Sequence, residues 1–320
     1  MFLARGIAVS FSVFVIVYCS VSVAVACGWR RVWSSWDQQS SHQQSSQRAA
    51  DFLFGLRILP FVVALVVTAA FAVPSFLLLE PRQIEEPLGW APLIMTIAGA
   101  GLVIFGVMNA VVALRRASRT IAGWSSGAQK MPAGIAVPVL RIAPAVPAMT
   151  AVGIVRPRIL LSGAAEALLS RTELSAALNH EIAHVRRRDN LRKLILRCVA
   201  FPGMRGLERT WLETAEMAAD DSAVYSADQA LELATALIKL SRSNQAPPDV
   251  DLTAALVHSP AAVMNARVER LLAWSEGRQS SPRTSSWYGI GATIVTLVLF
   301  AASYSHLLIG IHAATEWLVR

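Results

Sequence analysis

Two histidines and a glutamate within five positions carry the clearest chemistry in the sequence, in the motif HEIAH at residues 180–184. The surrounding residues have helical periodicity, and histidines four positions apart lie one turn apart on one helix face, so both imidazoles can reach one metal ion. Glu181 lies about 100° further round the helix and can act as general base for a water on an open metal position. The sequence therefore predicts a hydrolytic Zn²⁺ site with His180 and His184 as ligands and Glu181 as the catalytic base.

A second predicted helix, over residues 207–225, offers carboxylates to complete the site. Glu216 and Asp220 share one face of this helix, so Glu216 can be the third metal ligand while Asp220 accepts the remaining N–H of a ligating histidine. Glu213, one turn earlier on nearly the same face, is an alternative ligand. The competing interpretation is that this acidic face is solvated and that HEIAH is a chance match in an unrelated membrane protein.

The composition excludes an ordinary soluble domain. Of the 320 residues, 54% are hydrophobic and 16% are charged, whereas soluble domains are about a quarter charged; the mean hydropathy is +0.48. A membrane-spanning helix needs about 20 apolar residues, and four stretches qualify: residues 7–26, 58–79, 90–114 and 287–311. We therefore predict a mostly α, multi-pass membrane protein with four transmembrane helices.

The predicted metal site lies between the third and fourth spans. The predicted domains are a three-helix membrane region, a metallopeptidase domain, and the fourth transmembrane helix with a short tail, at residues 1–115, 116–286 and 287–320. Short β-like segments precede the metal helix, at residues 135–142, 148–155 and 159–162. The edge of such a sheet can accept an extended peptide as an added strand. Ser170 and Glu173 form a capping-box pattern that predicts the start of the metal helix.

The distribution of arginine predicts the orientation of the spans, because short cytoplasmic loops are enriched in basic residues. Arginines follow the first and third spans and precede the fourth, at Arg30, Arg31, Arg48, Arg115, Arg116, Arg119, Arg278 and Arg283. The loop at residues 80–87 contains a single basic residue, Arg82. We therefore expect the amino terminus outside the cell membrane and residues 116–286 in the cytoplasm. The net charge of +8 follows from these loops and does not imply direct nucleic-acid binding.

An alternative topology starts from residues 24–26, Ala-Val-Ala, which precede Cys27 and resemble a signal-peptide cleavage or lipid-modification site. Cleavage there would reverse the later spans and place the metal site outside the cell.

The run RRRDNLRK at residues 186–193 follows the metal motif directly. We expect this run to form a solvated basic face, or to contact anionic headgroups of the lipid bilayer.

Several further motifs resemble the BlaR/MecR-type membrane zinc metallopeptidases, a family of antibiotic-sensor antirepressors and their shorter relatives. Three spans before a protease segment and one after it are also similar to the layout of that family. The residues that carry the resemblance are VRPRILL at 155–161, Glu173-Leu174, HEIAH at 180–184, RDN at 188–190, Glu216 to Asp220, and RVERL at 267–271.

This resemblance implies a zincin-like (gluzincin) α+β domain with His180, His184 and Glu216 on Zn²⁺, Glu181 as base and Asp220 behind the ligands. It also implies a cytoplasmic protein substrate, such as a small winged-helix transcriptional repressor, cleaved in signal-dependent regulated proteolysis. Since the sequence ends shortly after the predicted fourth span, we expect a short form without a penicillin-binding sensor domain. The oligomeric state stays open.

The chain is more weakly similar to HtpX-like and CaaX-prenyl-protease-like membrane metallopeptidases, in which a His-Pro shortly before an arginine lies near the active site. Here His258-Ser259-Pro260 precedes Arg267, and His258 is a candidate hydrogen-bond donor to charge that develops in the transition state. The similarity suggests a quality-control protease as an alternative function. A catalytically silent signalling or scaffold protein is a further alternative, although binding alone would not need Glu181.

Overall fold

The computed structural model describes residues 2–39, 46–80, 89–131, 137–142, 148–199, 201, 203–242, 254–255, 261–276, 309–310 and 313. These residues are mostly helical, with one small sheet. They form two compact units. The first contains the described residues of Met1–Ser34, Leu56–Gly106 and Pro282–Arg320, and the second contains those of Ser35–Gly55 and Val107–Ser281.

Three helical segments are long and apolar enough to cross a membrane: Phe2–Ser34, Ser46–Leu79 and Trp90–Trp124. The first belongs to α1 (Phe2–Gln39) and the third is α4 (Trp90–Trp124). Only 17% to 33% of the residues in their most apolar windows are buried, as expected for helices whose outer faces meet lipid. Three of the predicted spans are thereby confirmed as candidates, and each is longer than its apolar run because the polar flanks are helical too. The fourth lies outside the described residues except at 309–310.

The second segment is interrupted before a proline. It consists of α2 (Ser46–Val67), a π-helical turn (Thr68–Ala72) and α3 (Val73–Leu79). Pro74 lies in the first turn of α3. Because Pro74 has no N–H to donate, one regular helical hydrogen bond is lost there, and the π turn directly before α3 accommodates the break. Pro60, by contrast, lies within α2.

The sheet belongs to the second unit. Its strands run in the order β1-β2-β4-β3-β5; β2 and β4 are parallel and the other neighbours are antiparallel. Their bounds are β1 Gln129–Lys130, β2 Val139–Ile142, β3 Met149–Val152, β4 Arg158–Ser162 and β5 Ala254–Ala255. The predicted strand pair becomes the β3–β4 hairpin, whose turn needs a positive φ of 87° at Gly153. Strand β3 is not an edge strand, because β5 pairs with it at Thr150 and Ala151.

Six further helices lie wholly within this unit, beside the described parts of α1, α2 and α4 that belong to it. They are α5 (Gly163–Leu168), α6 (Arg171–Arg187), α7 (Asp189–Cys198), α8 (Arg205–Ala223), α9 (Ala227–Arg242) and α10 (Ala261–Ser275). The central helix is α6, which packs against α8, α9 and β3. Its amino end is the predicted capping box: Glu173 N donates to Ser170 Oγ at 3.2 Å, and Ser170 N donates to the Glu173 carboxylate at 2.8 Å.

The buried apolar core of the second unit fixes the position of α6 between the sheet and α9. It is formed by apolar side chains from β2, β3, β4 and the helices, including Val139, Met149, Ile159, Leu161, Ala177, Leu233, Leu237 and Leu240. Because α6 contributes small residues such as Ala177 to this core, the metal motif on the same helix is held close to both the sheet and α8.

Candidate metal centre

The motif of α6 is buried inside the second unit. His180 and Glu181 have no exposed surface, and His184 is 3% exposed. The Nε2 atoms of the two histidines are 3.0 Å apart. The predicted pairing of these imidazoles on one helix face is therefore present in the structure.

The third member of the cluster comes from α8. Glu216 places Oε1 3.5 Å from Nε2 of His184 and Oε2 3.6 Å from Nε2 of His180. One ligand atom from each of these three residues lies within 4.8 Å of the others, and the group could hold a metal ion. Glu213, the alternative ligand, instead pairs with Arg209 Nε at 3.0 Å.

Small side chains let α8 approach α6 closely enough for this contact. Ala215, Ala218 and Ala219 are all buried, with exposures of 4% or less. Larger residues at these positions would separate the two helices, because helix axes approach according to the side chains at the contact.

Behind His180 lies a carboxylate and then an arginine. Oδ1 of Asp220 is 2.9 Å from Nδ1 of His180. Arg267 of α10 donates to both oxygens of Asp220, through Nε and Nη2, each at 2.7 Å. Its Nη1 lies 3.2 Å from Oε2 of Glu216. Asp220 thus lies beside a histidine of the motif, as predicted. Arg267 was named from the motif resemblances alone, and its contacts with Asp220 and Glu216 were not predicted.

Behind His184 lies a similar pair that the sequence analysis also missed. Oδ2 of Asp189 is 2.7 Å from Nδ1 of His184, and Arg187 Nε donates to the same oxygen at 3.3 Å. The chain can return to His184 because Arg188, between α6 and α7, adopts a left-handed conformation with a φ of 56°. The prediction that residues 186–193 form a solvated face is wrong for Arg187, Asp189 and Asn190, which are 9%, 1% and 9% exposed.

Asn190 connects this turn to the sheet. Its Nδ2 donates to the carbonyl oxygens of Ala151 at 3.1 Å and Gly153 at 3.3 Å. The end of β3 and the start of α7 are therefore fixed relative to each other, with Asp189 directly beside this connection.

Strand β3 also holds Glu181. The backbone N–H of Ala151 donates to Oε2 of Glu181 at 2.6 Å. Oε1 is buried and has no hydrogen-bond partner among the described residues. Burial raises the pKa of Glu181, an effect that His184 and His180 reduce in part. The backbone of β3 thus holds one oxygen of the carboxylate in place, and the other oxygen can accept a further hydrogen bond.

The neighbours of the two histidines indicate their tautomers. Asp189 can only accept from Nδ1 of His184, and the carboxylate of Asp220, 2.9 Å from Nδ1 of His180, favours a proton on that atom too. Neutral imidazoles therefore present lone pairs at Nε2. Two lone pairs that face each other across 3.0 Å repel unless one ring carries a proton at Nε2 or both rings bind a metal ion. The arrangement therefore fits a metal ion bound by His180, His184 and Glu216.

The formal charges of the cluster lead to the same conclusion. With neutral histidines, its carboxylates exceed its guanidinium groups by two negative charges, which a divalent cation would balance. The carboxylates are Glu181, Asp189, Glu216 and Asp220, and the guanidinium groups are those of Arg187 and Arg267.

The titration behaviour reflects this excess of negative charge. Burial acts to lower the pKa of His184, but the carboxylates of Glu216 and Asp189 outweigh burial and raise the pKa to about 10. Burial acts to raise the pKa of Glu216, but the two histidines and Arg267 hold that pKa well below its ordinary value. The site therefore attracts positive charge, from protons or from a metal.

One candidate residue cannot be placed, because His258 lies outside the described residues. Of the residues that were missed, Asp189 and Arg267 occur in the RDN and RVERL motifs that carry the family resemblance. These motifs were the available signal for a role at the site. No protein-family model and no curated protein matches the chain.

Proposed function

We propose that this chain is an integral membrane zinc metalloendopeptidase of the BlaR/MecR, or gluzincin, type. The observation that carries the proposal is the group of buried His180, buried His184 and half-buried Glu216 beside the anchored carboxylate of Glu181. Two imidazoles and one carboxylate with an open position favour zinc over harder cations. Asp220 and Asp189 would hold the two imidazoles in the ligating orientation.

The chemistry follows from the residues around the proposed ion. Zinc, when bound, would supply a Lewis acid and lower the pKa of a bound water. Glu181 would accept the proton of the attacking water at Oε1 and then deliver it to the leaving amine. Its raised pKa suits this double role, because a base that later acts as an acid works best with a pKa near the operating pH.

The proposed location is the cell membrane, with the amino terminus outside and the metal centre in the cytoplasm. Described residues of Ser35–Gly55 and Val107–Ser281 belong to the same unit as the metal centre. These segments contain Arg48, Arg115, Arg116 and Arg119, and basic residues beside spans favour the cytoplasmic side. A reporter that is active only in the cytoplasm, fused after Ser286, should be active, and a silent reporter would contradict this topology.

The proposed substrate is a cytoplasmic protein, and the motif resemblance suggests a small winged-helix transcriptional repressor. The proposed partners are thus this protein and the lipid bilayer, with no direct contact to nucleic acid. The regulated proteolysis of a repressor would connect a signal at the membrane to transcription.

The test compares newly formed protein N-termini, by mass spectrometry, in cells that express wild type, Glu181→Gln or Glu213→Gln at matched levels. Glu181→Gln removes the base but keeps an acceptor for the Ala151 N–H. Glu213→Gln removes a carboxylate that lies outside the metal group. We expect one cut site in a cytoplasmic protein with wild type and Glu213→Gln that is absent with Glu181→Gln.

Two results would contradict the proposal in different ways. If no terminus differed between the three proteins while purified wild type contained zinc, a binding or scaffold function would replace catalysis. If purified wild type did not bind zinc, the metal centre itself would be excluded.

A further inference from the structure

Among the described arginines of the second unit, Arg267 is the most deeply buried. It is 0% exposed, and it comes from α10, 47 positions after its partner Asp220. A buried guanidinium is costly to desolvate unless its donors are satisfied by well-placed acceptors. The cost indicates that this arginine has a specific task.

The guanidinium group contacts two carboxylates with different roles. Its Nε and Nη2 form a two-pronged contact with Asp220, which in turn faces Nδ1 of His180. Its Nη1 faces Oε2 of Glu216, while Oε1 of Glu216 faces His184. One planar group thus fixes both the residue behind a proposed ligand and a proposed ligand itself.

We propose that Arg267 is a positioning residue that sets the metal affinity and the coordination geometry of the centre. The proposal rests on the metal-binding part of the proposed function. Glu216 and Asp220 lie one turn apart on α8 and repel each other as anions. Arg267 offsets this repulsion, and its fixed fork defines the rotation of both carboxylates. Without it, Glu216 would no longer be fixed opposite the two imidazoles.

The chain offers a matched control one turn further along α10. Arg270 Nη2 donates to Oδ2 of Asp221 at 2.6 Å, so this pair also joins α10 to α8. The pair has no contact with His180, His184 or Glu216 among those the structure describes. A change at Arg270 therefore reports the effect of loosening these two helices alone.

The experiment uses four full-length proteins in detergent: wild type, Arg267→Lys, Arg267→Gln and Arg270→Gln. For each protein, zinc affinity is measured by chelator competition, and the visible spectrum is recorded after substitution with Co²⁺. We expect Arg267→Gln to bind zinc about 10- to 100-fold more weakly. Lysine keeps the charge but not the fork, so Arg267→Lys should show an intermediate loss and an altered Co²⁺ spectrum. Arg270→Gln should change affinity by less than about threefold and leave the spectrum unchanged.

Equal losses of affinity in Arg267→Gln and Arg270→Gln would overturn the proposal, as would wild-type affinity and spectrum in Arg267→Lys. If both Arg267 variants failed to fold while Arg270→Gln folded, the residue would have a purely structural role and the proposal would also be wrong. Failure of the metal centre is separately visible, because wild type itself would then bind no zinc.

Discussion

The two histidines of the candidate metal centre have the same kind of support from different parts of the chain. Each Nδ1 faces an aspartate, and each aspartate contacts an arginine. For His184 these partners are local, since Asp189 is five positions away and Arg187 lies between them. For His180 they come from α8 and α10, with 47 positions between Asp220 and Arg267.

The difference shows how the centre depends on the fold. The support of His184 forms when α6 turns into α7 at Arg188, so it requires little beyond the local chain. The support of His180 exists only when α6, α8 and α10 are packed together. We therefore expect substitutions of the residues that support His180 to lower the stability of the whole unit. Substitutions of the residues that support His184 should mainly lower the affinity for the metal ion.

The largest effect should follow from Asp220→Ala. This change leaves the buried guanidinium of Arg267 without its main partner, and breaking a buried pair in this way costs about 3–5 kcal/mol. The free energy of unfolding, measured by denaturant titration in detergent, should fall by this amount, and zinc binding should be lost.

Asp221→Ala is the matched control for that change. It breaks the neighbouring Arg270 pair, whose side chains are 24% and 29% exposed, and partly exposed pairs contribute about 1 kcal/mol or less. If Asp221→Ala destabilised the protein as much as Asp220→Ala, the burial of Arg267 would not be the cause.

The next effect should follow from Asp189→Asn on the local side. The amide oxygen of asparagine still accepts the N–H of His184, but it lacks the charge that strengthens the imidazole as a ligand. Changes to such partners lower metal affinity by about 10- to 100-fold. Chelator competition should show this loss of zinc affinity. The free energy of unfolding should change much less than in Asp220→Ala, and a larger loss of stability in Asp189→Asn than in Asp220→Ala would contradict the comparison.

The affinity for zinc should also rise with pH. Because the pKa of His184 is raised to about 10 without metal, its imidazole is protonated at neutral pH, and zinc must displace that proton. Each released proton gives about a tenfold gain in apparent affinity per pH unit, up to the pKa of His184. Chelator competition across neutral to mildly alkaline pH measures this slope.

In Asp189→Asn the affinity should level off at a lower pH than in wild type, since Asp189 is one of the groups that raise the pKa of His184. A slope that is flat in wild type would show that the site does not hold a proton in place of the metal.

Much of this centre follows from local sequence. The motif on α6 fixes how His180, Glu181 and His184 are arranged, because helix geometry alone sets that relation. Apolar length likewise predicts four spans without knowledge of their packing, and three of them are candidate membrane-spanning helices among the described residues. The choice between Glu216 and Glu213 was open from sequence, because both lie on nearly one face of α8 and only the packing of α8 on α6 separates them.

The roles of Asp189 and Arg267 could not be predicted from residue spacing, because they depend on how the chain folds. Asp189 stands in a run of basic residues, where charge predicts solvent exposure, and only the left-handed turn at Arg188 directs it inward. Arg267 reaches the centre through the placement of α10, and β5 joins β3 from a distant part of the chain. Such contacts are consequences of tertiary packing, so periodicity and motif spacing cannot reveal them.

The smallest effect should follow from Ser170→Ala at the amino end of α6. The change removes the side-chain oxygen that accepts from Glu173 N, and loss of such a cap costs about 1 kcal/mol. Glu173 keeps its contact with Lys239 Nζ at 2.8 Å, so the helix should still form. Because this cap touches neither histidine support, unfolding free energy should fall while zinc affinity stays at the wild-type value. A parallel loss of zinc affinity would mean that any weakening of α6 lowers metal binding. Differences in affinity could then not be assigned to the partners of His180 or of His184.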